Sequence, residues 1–182
     1  MKIVIGIALL VLTFTLQAQK FKSSSSIISF LSETALEDIY GESKKSQSVF
    51  VAEDKQIAIL MKTNSFIFKN PMMQKHFQED YMECDKFPKA TFNGTIIGDF
   101  DVEKDGEYPV TVKGKLMIHG VEKDREVKGT IFVKEGVVSV EAKFAVRVAD
   151  HKVKVPSVVV KNIAEVVEVS VNITYAPILA KQ

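Results

Sequence analysis

The feature that most constrains the fold is a pair of alternating segments that meet at a glycine turn between residues 108 and 133. Gly120 permits the positive φ of a tight turn, and Val127, Ile131 and Val133 continue an apolar face after it. Before the turn, apolar and polar side chains alternate at period two: Tyr108, Val110, Val112, Leu116 and Ile118 against Thr111, Lys113 and Lys115. The pattern predicts two long antiparallel strands, each with one buried face and one wet face.

Similar runs recur along the chain and complete a set of predicted strands at residues 27–31, 49–52, 57–62, 90–97, 108–118, 126–134, 137–148 and 158–175. Repeated strands separated by turn residues are typical of an all-β barrel or sandwich and not of alternating α/β units. Closing such a sheet on itself removes the exposed edges that would otherwise template aggregation. The sequence therefore predicts an all-β fold, an eight-stranded antiparallel barrel, with one inserted helix.

The predicted helix covers residues 70–82. Asn70 is a suitable N-cap and Pro71 suits the first helical position. Met73, Phe77 and Tyr81 recur four residues apart and form one apolar stripe. Two interpretations are equally compatible with this stripe: the helix covers an opening of the barrel, or it is a plug that fills the core.

The first 18 residues have the pattern of an export signal. Lys2 supplies a positive start, residues 3–16 are apolar, and Ala18 provides a small residue for cleavage. We expect residues 1–18 to be a signal peptide and residues 19–182 to form the barrel domain in an extracytoplasmic, periplasmic or secreted location. The alternative is an uncleaved membrane anchor, since Leu16 is larger than cleavage sites prefer.

Charge and cysteine content narrow the classes of partner. The formal net charge is +1 and falls to zero when Lys2 leaves with the signal peptide, so the composition favours neither nucleic acid nor an anionic membrane surface. Cys84 is the single cysteine and cannot form a disulfide within the chain. It could join two chains as a homodimer, but a small buried hydrophobic residue is the favoured interpretation.

The sequence predicts neither an enzyme nor a metal site nor a cofactor. It has no nucleophile elbow, phosphate-binding glycine loop, zincin motif or cysteine pair at metal spacing. His76, His119 and His151 fall on three different predicted elements, and nothing in the sequence brings them together. For His119, at the glycine turn, we expect a hydrogen bond to the backbone at a strand end.

Three segments carry a resemblance to a known family. The turn LMIHGVEKDREV, the stretch DYMECDKFPKATFNGTI at 80–96 and the C-terminal segment 144–177 are similar to the corresponding strands of the YceI-like family. The resemblance covers nearly all of the chain after residue 20, although the family's frequent N-terminal Trp and following Asp are absent. The absence of any Trp and of a G-x-W motif argues against a true lipocalin.

The resemblance implies an exported, lipocalin-like barrel that binds or carries a long apolar lipid, of the polyisoprenoid or isoprenoid quinone type, without catalysis. A membrane donor or acceptor protein would be an unidentified further partner. The competing hypothesis is an exported structural or stress-related barrel with a filled core and no ligand. A cyclase or isomerase of apolar substrates would instead need titratable groups inside the barrel.

The inward faces of the predicted strands and helix supply the candidate lining of such a ligand site. For each residue taken alone, an ordinary place in the core is the favoured interpretation. The candidates are Phe30, Ile59, Met61, Phe66, Met73, Phe77, Phe92, Ile96, Leu116, Ile118, Ile131, Val140, Phe144 and Val169.

Overall fold

The computed structural model describes residues 19–155 and 163–178, and these form an antiparallel β-structure. The predicted signal peptide at 1–18 lies outside the described residues. The strands within them are β1 (Lys20–Glu33), β2 (Asp38–Ser43), β3 (Gln47–Val51), β4 (Gln56–Lys62), β5 (Ile67–Phe68), β6 (Lys89–Ile97), β7 (Gly106–Ile118), β8 (Val121–Lys134), β9 (Val137–Arg147) and β10 (Val166–Pro177).

These strands form a closed barrel with eight walls. The pairing of β10 with β1 closes the ring. Two walls are interrupted: β2 and β3 both pair with β1 in one continuous register, with Ile28 opposite Ser43 and Phe21 opposite Phe50. β4 and β5 pair with β3 and β2 in turn. The predicted eight-stranded antiparallel barrel is confirmed, and β2 and β5 are short segments that the sequence pattern missed.

The hairpin of β7 and β8 has the predicted alternation. Ile118 lies opposite Val121, so His119 and Gly120 alone form the turn, with φ angles of 51° and 70°. Positive φ at both central residues is the geometry that matches the twist of paired strands. Leu116 is buried on the inner face, whereas Lys115 extends from the outer face. Inside and outside are therefore assigned as the period-two pattern predicts.

The barrel is complete at one end and interrupted at the other. β8 pairs with β9 only over residues 129–134, so residues 121–128 diverge from β9. A 3₁₀ turn, Val148–His151, lies beside them, where His151 Nδ1 is 3.0 Å from the Val121 carbonyl oxygen. We call the end with the Gly120 turn and this 3₁₀ turn the open end, and the opposite end the closed end.

The helix lies at the open end and begins as predicted. Asn70 Oδ1 accepts hydrogen bonds from the backbone N–H groups of Met72 at 2.9 Å and Met73 at 3.4 Å, and Pro71 is the first helical residue. The α-helix α1 (Pro71–His76) continues into a π-helical turn, Phe77–Tyr81. In the stretches that the structure describes, no helix has the length and apolar character needed to cross a membrane.

The closed end is filled by side chains. Phe50, Ile131 and Ile173 have no exposed surface, and Phe50 packs against Phe21 with ring centroids 5.6 Å apart. Tyr175 closes this cluster: its hydroxyl is 2.7 Å from Ser48 Oγ, and burial raises the pKa of Tyr175 to about 12. This end of the barrel is an ordinary packed core.

Candidate ligand-binding cavity

A cavity of about 220 Å³ occupies the open end of the barrel, and its lining is almost wholly apolar. Ile57, Val112 and Val140 form its floor, because they also belong to the packed cluster of the closed end. The helix region, which is α1 together with the π-helical turn (residues 71–81), lies over it and contributes Met73 and Phe77. The arrangement provides an apolar space of the kind that binds apolar molecules.

Most of the candidate lining residues come together at this cavity. That they contact a ligand stays a prediction, but the structure places twelve of the fourteen on the cavity wall: Phe30, Ile59, Met61, Phe66, Met73, Phe77, Phe92, Leu116, Ile118, Val140, Phe144 and Val169.

The other two candidates, Ile96 and Ile131, do not line the cavity. They are 2% and 0% exposed and lie in the packed cluster of the closed end. Both side chains point inward, as their strand positions predicted. Period-two alternation assigns a residue to the inside of a barrel but contains no information on its height along the barrel axis, so it cannot separate filled from hollow sections.

Four phenylalanine rings hold the helix region over the cavity. Phe77 lies 5.5 Å from Phe30, 5.3 Å from Phe66 and 4.9 Å from Phe68, measured between ring centroids. Gly41 makes room for the group, since a Cβ atom there would lie 2.7 Å from Phe30 Cε1. No side chain of the helix region is fully buried. Of the two interpretations of the helix, the structure favours a cover over a core plug.

The winding of the helix aligns its apolar stripe with the cavity. Met73, Phe77 and Tyr81 all line it, as the spacing of four residues predicted. In the π-helical turn the Met82 N–H donates to the Phe77 carbonyl at 2.9 Å. The apolar stripe therefore continues along the cavity from α1 into the π-helical turn.

The segment between β9 and β10 contributes lining residues that the sequence interpretation missed. Val153, Val155 and Ile163 contact the cavity, and so does His151 at the end of the 3₁₀ turn. The prediction of a strand from residue 158 is wrong over 163–165, because β10 begins at Val166. The remaining part of that prediction, 158–162, lies outside the described residues. The alternating Val153 and Val155 were the sequence signal that could have identified this part of the lining.

A buried polar group lies beside the cavity. His119 is 7% exposed, with Nδ1 3.3 Å from the His151 carbonyl oxygen and Nε2 3.1 Å from Glu83 Oε2. The expected backbone hydrogen bond of His119 is confirmed, whereas its carboxylate partner was not expected. Lys86, and more weakly His119, hold the pKa of Glu83 below its ordinary value. The His-Gly turn was a signal for this site, because histidine is enriched at positive φ.

Cys84 and His76 have ordinary structural contacts and take no part in the cavity. Cys84 is buried, and burial raises the pKa of its thiol, so its interpretation as a small buried residue is confirmed. His76 Nδ1 lies 2.6 Å from Asp80 Oδ2 on the exposed side of the helix region. Within residues 19–155 and 163–178, no group of three histidine, cysteine or carboxylate side chains is arranged to hold a metal ion.

Comparison with known sequences identifies relatives of this barrel. A protein-family model for the YceI-like domain matches residues 17–175. The UPF0312 protein of Pseudomonas fluorescens is 32% identical over 117 residues, which is 64% of this chain and 57% of that protein. The chain therefore covers little more than half the length of this curated relative.

Solved structures share the fold at low sequence identity. A polyisoprenoid binding domain from Saccharophagus degradans, implicated in plant cell wall breakdown, has a TM-score of 0.74 at 13% identity and covers 87% of this chain and 98% of its own. Burkholderia cenocepacia BcnA has a TM-score of 0.69 at 18% identity, with 82% and 95% covered. A Campylobacter jejuni YceI protein gives 0.58 at 20%, with 77% and 85% covered. Because the family model matches nearly the whole described barrel, the protein belongs to the YceI-like domain family.

Proposed function

We propose that this protein binds one long apolar lipid, of the polyisoprenoid type, noncovalently in the open-end cavity and outside the cytoplasm. The observation that carries the proposal is the cavity of about 220 Å³ with its almost wholly apolar lining. Membership of the YceI-like family and a structural neighbour described as a polyisoprenoid binding domain support the same ligand class.

The physical basis of affinity would be burial of apolar surface. Removing apolar area from water stabilises by roughly 25 cal/mol per Å². An engineered apolar cavity of about 150 Å³ already binds benzene, so this larger space accommodates the first units of an isoprenoid. A longer chain requires the helix region and the walls beside it to move apart. Met73, unbranched and adaptable, is well suited to such a cover.

A binding role is favoured over a cyclase or isomerase by the chemistry of the lining. Among the described residues on the cavity wall, Tyr81 and His151 are the titratable side chains. Burial raises the pKa of Tyr81, which opposes its ionisation to a base. Acid–base catalysis needs a matched donor and acceptor aimed at one substrate atom, and the described lining supplies no such pair beyond these two side chains.

The decisive experiment is native mass spectrometry of the protein purified gently from its own host, combined with lipid extraction. We expect a bound apolar lipid that is released on unfolding. The double variant Met73→Ala with Phe77→Ala should lose the lipid while retaining most of its thermal stability, because these side chains cover the cavity and leave the strand pairing intact. Met72→Ala is the matched control, since Met72 is 67% exposed on the same helix.

The competing hypothesis of a structural barrel without a ligand makes the opposite prediction. It expects no extractable lipid in the wild-type protein and a large loss of stability in the double variant. That pair of results would refute the lipid-binding proposal.

The extracytoplasmic part of the proposal is supported by Lys2 and the apolar residues 3–16. We expect the mature chain to begin near residue 19. Intact mass of the protein from an extracytoplasmic fraction measures this directly, and an uncleaved chain in the membrane fraction would contradict it.

A further inference from the structure

One nitrogen atom at the cavity wall has no hydrogen-bond partner. His151 has no exposed surface, and its side chain lines the cavity. Its Nε2 atom is buried and, among the residues that the structure describes, contacts no donor or acceptor. Buried polar atoms are normally paired, so an unpaired one calls for a specific explanation.

The other buried hydroxyls of the lining already have partners. Thr63 Oγ1 donates to the Phe87 carbonyl at 2.8 Å. Ser32 Oγ accepts from the Ala164 N–H at 2.8 Å. Both hydroxyls therefore take part in a hydrogen bond, whereas His151 Nε2 takes part in none among the described residues.

The other ring nitrogen fixes what Nε2 can do. His151 Nδ1 is 3.0 Å from the Val121 carbonyl oxygen, which can only accept, so Nδ1 carries a proton and donates it. In a neutral ring Nε2 then has a lone pair and acts as an acceptor. Burial lowers the pKa of His151, and Arg125 nearby lowers it further, both of which favour the neutral ring.

We propose that His151 is the polar anchor of the ligand: Nε2 accepts a hydrogen bond from a hydroxyl group on an otherwise apolar chain. The inference rests on the proposed function and narrows its ligand class to an isoprenoid alcohol. A quinone or aldehyde ends in carbonyl oxygens, which only accept, and therefore cannot pair with this atom. A hydrocarbon or ether leaves Nε2 unpaired in the same way.

Arg125 is a second unpaired group near His151 but is placed differently. Its Nε and Nη2 atoms are buried without a hydrogen-bond partner among the described residues. Nη2 is 3.6 Å from Asp150 Oδ2, and the side chain does not line the cavity. The guanidinium group supplies positive charge beside the ring, whereas His151 belongs to the cavity wall.

The test compares three probes of equal chain length on the full-length protein after its lipid has been stripped. The probes are geranylgeraniol, its methyl ether and the corresponding aldehyde, each measured by displacement of a fluorescent apolar reporter. We expect the alcohol to bind about tenfold more tightly than either other probe, the difference of about 1.4 kcal/mol that one satisfied buried hydrogen bond supplies.

Variants assign the preference to the ring nitrogen. In His151→Phe, which keeps a planar ring and removes the acceptor, the three probes should bind equally well. Thr91→Val is the control, because Thr91 lies between the cavity residues Ala90 and Phe92 on β6 and its side chain points to the opposite face, so the loss of its hydroxyl should keep the tenfold preference. The wild-type comparison needs no variant and stands even where His151→Phe fails to fold, which circular dichroism would detect.

The outcomes separate this inference from the proposed function. Equal affinities of the wild-type protein for all three probes, or tighter binding of the aldehyde, would overturn the anchor and leave lipid binding intact. Persistence of the alcohol preference in folded His151→Phe would overturn it as well. Failure of every probe to displace the reporter would overturn lipid binding and the anchor together.

Discussion

The two ends of this barrel are built from the same strands but pack differently. At the closed end, Phe50, Ile131 and Ile173 have no exposed surface. At the open end, Phe30 and Phe77 belong to an aromatic cluster and remain only half-buried, because a cavity lies beside them. The apolar alternation along the chain is equally strong in both regions.

The difference comes from strand pairing and not from side-chain size. Over residues 121–128, β8 diverges from β9, and the 3₁₀ turn that ends at His151 contacts this part of β8 through Val121. The walls formed by β2 with β3 and by β4 with β5 are also interrupted. The cavity lies at the end where the pairing of the walls is interrupted, and the packed cluster lies at the end where the pairing is continuous. A hollow section can thus arise in a sequence that has a fully apolar inner face.

The largest expected effect tests whether the open end is as dry as the closed end. Leu116→Asp should lower the free energy of unfolding by about 4 kcal/mol or more, because it places an unpaired charge on the cavity wall. Lys115→Asp on the outer face of the same strand is the control. Lys115 pairs with Glu122 at 3.1 Å and Asp124 at 3.4 Å in exposed positions, so its loss should matter little.

Thermal and urea unfolding of the two variants measure this difference. Equal melting temperatures would mean that the open end admits water, or that the inner and outer faces of β7 are wrongly assigned.

A second comparison removes the same atoms from each end. Ile131→Ala should cost about 4 kcal/mol, because it leaves a void in a filled core. Ile118→Ala should cost only about 1 kcal/mol, since Ile118 already borders a cavity and loses fewer contacts. Urea denaturation with a common m-value provides both free energies. A larger loss for Ile118→Ala would contradict the distinction between the two ends.

A third prediction fills the open end. Ala142 faces the cavity, so Ala142→Leu should reduce affinity for an apolar lipid more than tenfold while changing the free energy of unfolding by no more than about 1 kcal/mol. Ala145→Leu, on the exposed face of the same strand, is the matched control and should bind normally. Displacement of a fluorescent lipid probe reports the affinity. Unchanged binding in Ala142→Leu would place the ligand elsewhere.

The sequence predicted which residues point into the barrel but not which of them border the cavity. Period two was enough to place both Ile118 and Ile131 inside the barrel. It could not tell that Ile118 borders a cavity and Ile131 does not, because that depends on which strands separate at residue 129. Long-range register, unlike alternation, is not written in a local window of sequence.

The contact between His119 and His151 at the open end could not be predicted from local sequence patterns, for a related reason. His119 and His151 lie on separate elements, and the contact of His119 with the His151 carbonyl depends on where the 3₁₀ turn docks. The helix that covers the cavity was more accessible, because Asn70 and Pro71 are cap signals that act within one turn of the chain. Local signals predicted local geometry, whereas the site itself required tertiary structure.

The smallest expected effect is a pH dependence that belongs to the open end. Burial lowers the pKa of His151, and Arg125 and Lys123 on β8 lower it further. The hydrogen bond to the Val121 carbonyl and Asp150 on its own turn raise the pKa, and the His151 carbonyl contacts His119. Burial is the largest influence and moves the pKa of His151 below its ordinary value of 6.5. Below that value the unfolded chain binds a proton that the folded protein excludes, so the free energy of unfolding must fall as the pH falls.

The stabilisation that comes from neutral His151 is complete above pH 6.5 and decreases on acidification. His151→Phe should flatten this slope just below pH 6.5, and the affinity for an isoprenoid alcohol should weaken only at lower pH, where the folded protein is itself protonated at His151 and the acceptor is lost. Parallel stability profiles for the wild-type protein and His151→Phe would show that His151 titrates in the folded state as it does in the unfolded chain, and the acceptor role of its Nε2 would lose its support.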